Sequence, residues 1–497
     1  MTPDKMLGSF QVPFLILAWM MQSFGISSTQ MRLPKDLLIG VATSAYQIEG
    51  AWNISDKSES NWDRFVHEHP KKIADSSTGD VACDSYHKYT DDMELLDDLQ
   101  VDHYRFSISW TRILPQGSPK YVSRDGVRHY HKILDELEKR KIIPFVTMYH
   151  WDHPQVLEEF GGWLNEKMAH RFADYARVIF QEFGRRVKFF STLNEPNVFC
   201  RGAYRTAKYA PGLKLTGVGE YSCIHNMLKA HAMTYHMYNR EFRDKQKGQI
   251  GLVNACWKYY SKFRNDSISS DVAFEFDCGW VANAIFSEKG DYPEVMKERI
   301  AMRSRSQGYH KSRLPKFSDQ WVSYIKNSAD YFGLNHYTSE VVETIKSAPS
   351  SWPNDEGLIY SSDPRWPTSQ SKWLKVNPKG IRDVLRTIKE KYNNPPVYIL
   401  ENGVSHGNGT HDNFRINYLS SYLKETLLAR ERDNCSVKAY TVWTLLDDFE
   451  WEVGYTAQFG LVDVDFGDKK RKRTLKKSAT WLKNLLKSRQ LLWHNSV

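Results

Sequence analysis

Apolar and amphipathic segments alternate along most of the chain. Eight short segments are rich in Val, Ile, Leu and small residues and lack a regular polar face, as strands covered on both sides do. Segments with the apolar spacing of helices lie between most of them. The predicted strands are 37–47, 101–110, 142–150, 188–195, 249–259, 330–337, 397–401 and 437–446, and the predicted helices are 84–100, 129–141, 166–183, 223–242, 381–391, 418–430 and 478–486.

Repeated strand and helix units predict a parallel sheet with helices outside it. Eight such units favour an α/β fold, a single (β/α)8 TIM barrel with long loops at the C-terminal face. The alternative is an open doubly wound sheet, which normally carries a G-x-G-x-x-G turn after its first strand. No such turn follows segment 37–47. The barrel is therefore the predicted fold.

The chain has 497 residues and contains no linker rich in Pro, Gly or Ser, no low-complexity tract and no short repeat. We therefore expect one barrel domain over residues 29–497. Residues 1–28 are a predicted signal peptide, in which Lys5 precedes an apolar run and then small residues. Secretion is the expected localisation, and four N-glycosylation sequons agree with it: Asn53, Asn265, Asn408 and Asn434.

Charge and cysteine content exclude several classes of function. The 68 Lys and Arg exceed the 59 Asp and Glu largely through the cluster 469–473 with Lys476 and Lys477, which a solvated turn explains better than nucleic-acid binding. No segment after the leader is long and apolar enough for a membrane span. Six cysteines allow one or two disulfides, and no Cys/His spacing indicates zinc, so no metal and no cofactor is predicted.

Two predicted strands end in a glutamate. Glu195 precedes Pro196, so we expect it to be extended at the strand tip. Glu401 is followed by Asn402-Gly403, a pair that favours a turn. In a parallel barrel both strand ends open into one mouth, and a facing carboxylate pair is the apparatus of glycoside hydrolysis.

Several strand ends carry segments that resemble the signature blocks of family 1 glycoside hydrolases, which include β-glucosidases, lactase-like proteins and myrosinases. The resemblance extends over about residues 33–486, with the blocks in the family's order. These blocks are Ala42-Thr43-Ser44-Ala45-Tyr46-Gln47-Ile48-Glu49-Gly50, Tyr104-Arg105-Phe106-Ser107, His150-Trp151-Asp152, Thr192-Leu193-Asn194-Glu195-Pro196, Leu400-Glu401-Asn402-Gly403 and Phe449-Glu450-Trp451.

The resemblance implies a retaining mechanism with Glu195 as acid/base and Glu401 as nucleophile, about 5 Å apart. It also implies that Arg105 and Tyr337 support the nucleophile. The residues expected around the nonreducing sugar are Gln47, His150, Asn194, Asn335, Trp443, Glu450 and Trp451. Glu450 would repel a phosphate, so an unphosphorylated sugar is expected.

Strand alternation supports part of this set. Val397, Ile399 and Glu401 are expected on one face of their strand. Tyr331, Gly333, Asn335 and Tyr337 are likewise expected to share a face. Asn194 and Glu195 are consecutive, so a bulge or a twist before the proline must turn both inward.

The aglycone side is less regular. The resemblance places Trp373 as a flat platform beside the leaving group, and Arg201 is a candidate cation for an anionic aglycone, although a solvent-facing loop arginine is the commoner case. His153, Asp448 and Gln458 replace the residues common in the family at these positions. A thioglucosidase that retains both carboxylates therefore remains an alternative.

The function predicted is hydrolysis of the terminal β-D-glycosyl residue of small-molecule glycosides by double displacement. The alternatives are a myrosinase-like β-thioglucosidase, a transglycosylase, and a family member that has lost catalysis and acts as a binding module. The expected partner is a small glycoside, with no nucleic acid and no membrane. The oligomeric state stays open, with a homodimer as one option.

Overall fold

The computed structural model describes residues 29–266, 268–345, 354–407 and 409–493. Eight parallel strands form a closed barrel in chain order, and β8 returns to pair with β1 through Tyr440 and Ile39. This closure confirms the barrel and excludes the open sheet. The strands are β1 Leu38–Ala42, β2 His103–Ser107, β3 Ile143–Tyr149, β4 Phe189–Asn194, β5 Gln249–Ala255, β6 Tyr331–Asn335, β7 Val397–Asn402 and β8 Val437–Trp443.

Helices pack around the barrel, and those predicted are found with shifted ends. Helix α2 begins earlier than predicted because the Ser123 side chain accepts a hydrogen bond from Gly126 N and caps it. The main helices are α1 Ser85–Leu99, α2 Arg124–Arg140, α3 Lys167–Phe183, α4 Gly219–Glu241, α5 Asp319–Ile325, α6 Lys379–Lys391, α7 Asn413–Glu431 and α8 Lys477–Ser488.

Most predicted strands are shorter than expected, and two of them give way to other elements. The first ends at Ala42 and is followed by the helical turn Ala45–Ile48, and the fifth ends at Ala255 before a separate strand. The remaining strands pair outside the barrel: Thr29–Arg32 with Gln490–Trp493, Ser339–Thr344 with Lys258–Ser261 on one side and Leu358–Ser361 on the other, and Val462–Val464 with Arg473–Leu475. The remaining helices are Asn61–Glu68, Pro70–Lys72, Trp110–Ile113, Gln155–Phe160, Gly162–Leu164, Pro196–Cys200, Arg201–Arg205, Arg243–Gln246, Ile268–Phe276, Cys278–Phe286, Glu294–Ser306 and Trp451–Val453.

The barrel interior has a small apolar core of its own. Side chains from five strands form a cluster separate from the large core between barrel and helices: Phe145, Val253, Tyr331, Tyr398, Leu400 and Ala439. The Tyr331 and Tyr398 rings meet edge to face at 4.8 Å. This layer fills the barrel below the C-terminal strand ends, as in packed barrels generally.

The strands that carry the two glutamates both break register. On β7, Ile399 packs in the outer core and Leu400 in the inner one, and the register shifts between Ile399 and Glu401. The expectation that Ile399 and Glu401 share a face is therefore wrong. On β4 the register shifts between Ser191 and Asn194, which supplies the irregularity expected at Asn194 and Glu195.

The basic cluster near the C-terminus is partly structural. Lys476 lies buried at 2.6 Å from Asp447, and Arg473 pairs with Asp92 of α1 at 3.0 Å. A solvated turn is therefore the wrong description for these two residues, because burial requires each cation to be paired.

Covalent links brace two segments on the C-terminal side of the barrel. Disulfides join Cys200 to Cys223 and Cys256 to Cys278, which confirms the expectation of one or two bridges. Cys83 and Cys435 are free and buried. Within the described ranges, no helix is long and apolar enough to cross a bilayer. The predicted leader, residues 1–28, lies outside the described residues.

Candidate active site

Glu195 lies at the point where β4 turns into a helix. Its φ of 45° is left-handed, so the expectation of an extended residue is wrong. Pro196 occupies the first position of helix Pro196–Cys200, where its fixed φ fits and its missing N–H costs no hydrogen bond. The sharp change of direction therefore falls on Glu195, which is buried at the barrel mouth.

Glu401 is held by hydrogen bonds to both of its carboxylate oxygens. Arg105 Nη1 donates to Oε1 at 2.6 Å and the Tyr337 hydroxyl donates to Oε2 at 2.7 Å. Asn402 remains within β7, so the Asn-Gly pair does not form the expected turn. Gly403 is needed because a Cβ there would lie 1.9 Å from the Trp443 carbonyl oxygen.

A continuous series of hydrogen bonds links the two glutamates. Arg105 Nη2 donates to Asn194 Oδ1 at 2.7 Å, and Asn335 Nδ2 lies 3.3 Å from the same oxygen. Asn335 Nδ2 also donates to Glu195 Oε1 at 2.8 Å. We call Arg105, Asn194, Glu195, Asn335 and Glu401 the carboxylate cluster. Each of its members is less than one-tenth exposed.

The two carboxyl groups have different electrostatic surroundings. Burial, followed by the negative charge of Glu401, raises the pKa of Glu195 to about 8, so Glu195 is mainly protonated at neutral pH. Glu401 accepts from a guanidinium and a phenol, a donor set that suits the carboxylate form. One group is therefore prepared to give a proton and the other to carry negative charge.

His150 is neutral and orders the wall beside the cluster. Burial and the charge of Arg105 lower the pKa of His150 well below its usual value. Asn194 Nδ2 lies 3.1 Å from His150 Nε2 and donates to it, which puts the ring proton on Nδ1. His150 Nδ1 is buried and has no partner among the described residues, so the protein leaves this N–H unused.

Gln47 and Glu450 form a polar corner of the mouth. Gln47 Nε2 lies 3.0 Å from the Phe449 carbonyl oxygen, 3.2 Å from Asp448 Oδ1 and 3.3 Å from Glu450 Oε2. Burial, and then the charge of Glu452, raises the pKa of Glu450 to about 8. The corner therefore offers both donors and acceptors.

Aromatic rings complete this side of the mouth. The Trp443 ring lies nearly parallel to His150 at 5.7 Å, and Trp451 does the same at 5.9 Å. Every residue predicted around the sugar thus lies in one connected region. Thr147 also belongs to this region, because its hydroxyl accepts a hydrogen bond from Arg105 Nε at 3.1 Å. The sequence did not indicate this residue.

Trp373 lies beside Tyr337 and is 45% exposed. Its ring stacks on Trp257 at 5.5 Å with an interplanar angle of 7° and meets the edge of Tyr337 at 5.8 Å. Since Tyr337 bonds Glu401, the tryptophan pair adjoins the carboxylate cluster. Trp257 was not predicted, although its position just past the end of β5 is a signal that the sequence carries.

Arg201 is not a free cation. Its Nη1 donates to Asp277 Oδ1 at 2.8 Å and its Nη2 to the Phe276 carbonyl oxygen at 2.6 Å. The prediction that Arg201 presents a free positive charge at the mouth is therefore wrong, because the Asp277 carboxylate neutralises that charge. Nothing in the spacing of these residues along the chain indicated the pair.

The other unusual residues have structural partners. His153 is buried and lies 2.7 Å from Glu158 and 2.9 Å from the Tyr149 hydroxyl. The Gln458 carbonyl oxygen accepts from Arg415. These two residues support the loops and do not contact the carboxylate cluster.

Comparison with known proteins agrees with this geometry. The model of glycosyl hydrolase family 1 matches residues 29–491. The chain is 42% identical over 462 residues to myrosinase 1 of Brevicoryne brassicae, covering 92% of this chain and 98% of that one. It is 40% identical to a cytosolic β-glucosidase of Cavia porcellus, covering 89% and 95% of the two chains.

Solved structures give the same result. An aphid myrosinase superposes with a TM-score of 0.88 at 40% identity, covering 92% of this chain and 99% of that one. A β-glucosidase from Trichoderma harzianum has a TM-score of 0.86 at 35% identity, covering 92% and 98%. The chain therefore belongs to glycosyl hydrolase family 1 and is a β-glycosidase with a barrel fold.

Proposed function

We propose that the protein is a retaining β-glucosidase-type enzyme that removes the terminal nonreducing β-D-glycosyl residue from small-molecule glycosides. Glu195 is the acid/base and Glu401 is the nucleophile. The observation that supports this assignment best is the carboxylate cluster, in which a protonated and a charged carboxyl group are linked through Arg105, Asn194 and Asn335.

In the first step the Glu401 carboxylate attacks the anomeric carbon from the face opposite the aglycone. The bond between that carbon and the glycosidic oxygen breaks, and Glu195 gives its proton to the departing oxygen. Arg105 and Tyr337 each donate a hydrogen bond to one carboxylate oxygen of Glu401, and these bonds fix the orientation of the attacking group. The product of this step is a glycosyl ester of Glu401 and a free aglycone.

In the second step water cleaves the ester. Esterification removes the negative charge of Glu401, which had raised the pKa of Glu195, so the ionised form of Glu195 becomes more favourable. Glu195 then takes a proton from water as the oxygen attacks the anomeric carbon, and Glu401 leaves as a carboxylate. Two inversions at the same carbon give net retention of configuration.

The sugar side of the mouth suits an unphosphorylated hexose. Vicinal hydroxyls require paired donors and acceptors, which His150, Gln47 and Glu450 provide. The indoles of Trp443 and Trp451 supply apolar surface for the C–H face of the ring. A phosphate would meet the Glu450 carboxyl group in a buried corner, where an added negative charge is disfavoured.

Thioglucoside hydrolysis is the second candidate, because a relative at 42% identity is named myrosinase 1. Neutralisation of Arg201 by Asp277 argues against recognition of a sulfated aglycone through that residue. A binding module without catalysis is less consistent with an intact carboxylate cluster. Transglycosylation uses the same first step with a different acceptor.

The first test is hydrolysis of p-nitrophenyl β-glucoside followed by NMR of the product anomer. We expect β-glucose to appear first, and we expect Glu401→Gly to lose activity by a factor on the order of 10⁴ or more. Azide should restore aglycone release by Glu401→Gly and give α-glucosyl azide, because the small anion occupies the space of the missing carboxylate. Initial release of α-glucose by the wild type would refute retention.

The same assay on a thioglucoside separates the two candidates. Efficient cleavage of the sulfur glycoside with slow cleavage of the oxygen glycoside would favour the thioglucosidase. No cleavage of either by a folded wild type would favour the binding module.

We also propose passage through the secretory pathway. Two disulfides are present, and such bonds are rare in reducing compartments. The sequon asparagines Asn53, Asn265 and Asn434 are exposed, while Asn408 lies outside the described residues. Mass spectrometry of peptides around the asparagines tests for glycans at each one.

A further inference from the structure

The wall beyond the Trp257 and Trp373 pair is acidic. Segments following β5 and β6 bring together Asp277, Glu340 and Glu356, which we call the acidic rim. Glu340 lies on strand Ser339–Thr344, three residues after Tyr337 in the sequence. In the pairing of this strand with strand Lys258–Ser261, Glu340 is the neighbour of Tyr259. The rim therefore continues from the strand ends that carry Tyr337 and Trp257.

The rim borders the side of the mouth on which the leaving group departs. Asp277 Oδ1 accepts from Asn197 Nδ2 at 3.1 Å, and Asn197 stands in the short helix that begins directly after Glu195. The charge of Asp277 contributes to the raised pKa of Glu195. A group attached to the glycosidic oxygen, next to Glu195, is therefore within electrostatic reach of the rim.

Positive charge near the rim is already paired. Arg201 donates to Asp277 and to the Phe276 carbonyl oxygen, and its guanidinium lies 5.5 Å from the Trp280 ring. Arg205 lies 3.8 Å from Glu356 and 4.0 Å from Glu220. A third guanidinium, that of Arg299, donates to the Glu356 carbonyl oxygen and is attracted by the Glu356 charge. Three guanidinium groups thus lie among four carboxyl groups, which leaves one carboxyl group in excess for an approaching ligand.

The rim also holds carboxyl oxygens without partners. Asp277 is 6% exposed and Glu356 is 5% exposed, and the Oδ2 and Oε2 atoms of these two residues have no hydrogen-bond partner among the described residues. The half-buried side chain of Glu340 makes no hydrogen bond and no ion pair within the described part of the chain. Burial, and then the charge of Asp277, raises the pKa of Glu340 to about 7. Buried acceptors are normally satisfied, so the negative charge of the rim is only partly compensated by the protein.

Aromatic rings stand beside the unpaired carboxyl group. The rings of Tyr259 and Tyr360 meet edge to face at 5.9 Å. Both tyrosines interact electrostatically with the Arg201 and Asp277 pair. Aromatic faces together with a carboxylate form the usual surroundings of a bound ammonium group.

We propose that Glu340 determines aglycone specificity by favouring glycosides whose aglycone carries a positive charge and disfavouring those that carry a sulfate or carboxylate. This inference rests on the function proposed above. The cation supplies positive charge to an acidic wall, while an anion meets the same carboxylates beside guanidinium groups that already have partners.

Three matched phenyl β-glucosides test the proposal. Their para substituents are trimethylammoniomethyl, neopentyl and sulfomethyl, so the first two have nearly the same shape and differ in charge. A methylene group separates each charge from the ring, which keeps the leaving phenols similar. Above the pKa of Glu340, the wild type should cleave the cationic substrate with the highest kcat/KM and the anionic one with the lowest.

The decisive comparison uses Glu340→Gln, which keeps the shape and removes the charge. We expect the ratio of cationic to anionic kcat/KM to fall roughly tenfold, the effect of losing one charge interaction in a partly buried site. Glu343→Gln is the matched control, because Glu343 lies on the same strand and pairs with Lys262 at 2.7 Å. It should keep the wild-type ratio.

The outcomes separate this inference from the proposed function. Equal wild-type kcat/KM for all three substrates, or an unchanged ratio in Glu340→Gln, would overturn the role of Glu340 while leaving the β-glycosidase intact. Failure of the wild type to cleave even the neutral neopentyl substrate and p-nitrophenyl β-glucoside would instead overturn the proposed function.

Discussion

The carboxylate cluster and the acidic rim stand side by side but are built differently. In the cluster, Arg105 and Asn194 are each 1% exposed and belong to barrel strands. In the rim, the groups lie on segments outside the barrel, and some carboxyl oxygens have no hydrogen-bond partner in the part of the chain that the structure describes. The platform next to it, Trp373, is 45% exposed.

The two regions are also held by different forces. Strand pairing and buried charge-assisted hydrogen bonds fix the cluster. The rim segments are braced by disulfides, since Cys200 precedes Arg201, and Cys278 follows Asp277 and is bonded to Cys256 beside Trp257. This difference separates the chemistry, which requires fixed geometry, from selectivity, which depends on loop residues that can be exchanged without disturbing the barrel.

The largest effect that tests this separation should come from Tyr337→Phe. The variant removes one hydrogen bond to Glu401 and leaves the ring, so kcat/KM should fall roughly 10- to 100-fold. Because Glu401 acts on every substrate, the loss should be the same for aryl and alkyl β-glucosides.

Tyr331→Phe is the matched control for that measurement. Tyr331 begins β6, the strand that ends just before Tyr337, and its hydroxyl donates to the Phe190 carbonyl oxygen at 2.8 Å, away from Glu401. It should lower the melting temperature more than the rate. A loss in Tyr337→Phe that varies strongly with the aglycone would contradict the division between the two regions.

A smaller and selective effect is expected from Trp373→Ala. Loss of the indole platform should reduce kcat/KM for aryl β-glucosides up to about tenfold and leave methyl β-glucoside nearly unchanged. Trp366→Ala is the control, because Trp366 contacts Tyr260 instead of Tyr337. Equal losses on aryl and methyl substrates would place Trp373 in the sugar site.

The smallest expected effect is a shift in the pKa of Glu195. Glu401→Gln removes the charge that helps to raise the pKa of Glu195 above its usual value, so the pKa of Glu195 should fall below the wild-type value of about 8. It should remain above that of a free glutamate because burial is the larger cause. NMR titration of labelled glutamate measures both values.

Glu450→Gln provides the control for this titration. Glu450 is half-buried near the mouth, but its charge is not among the main causes of the raised pKa of Glu195. A downward shift in Glu450→Gln as large as that in Glu401→Gln would show that the coupling extends beyond the cluster.

The sequence by itself determined the order of strands and helices and the placement of polar residues at strand ends. Apolar runs and helical spacing are local properties of the sequence, so they can be recognised without knowledge of the fold. The motif resemblance supplied the residues of the sugar side, which the structure brings together. Predictions that rested on strict alternation failed at Glu401, where β7 shifts register.

Only the tertiary structure decided how the glutamates are directed and how the rim is charged. The left-handed conformation of Glu195 follows from the direct turn of β4 into a helix, which a general preference before proline does not specify. Arg201 and Asp277 meet across 76 residues of sequence. Pairing between distant residues depends on how the chain closes in space, because an ion pair is fixed by distance between atoms and not by spacing along the backbone.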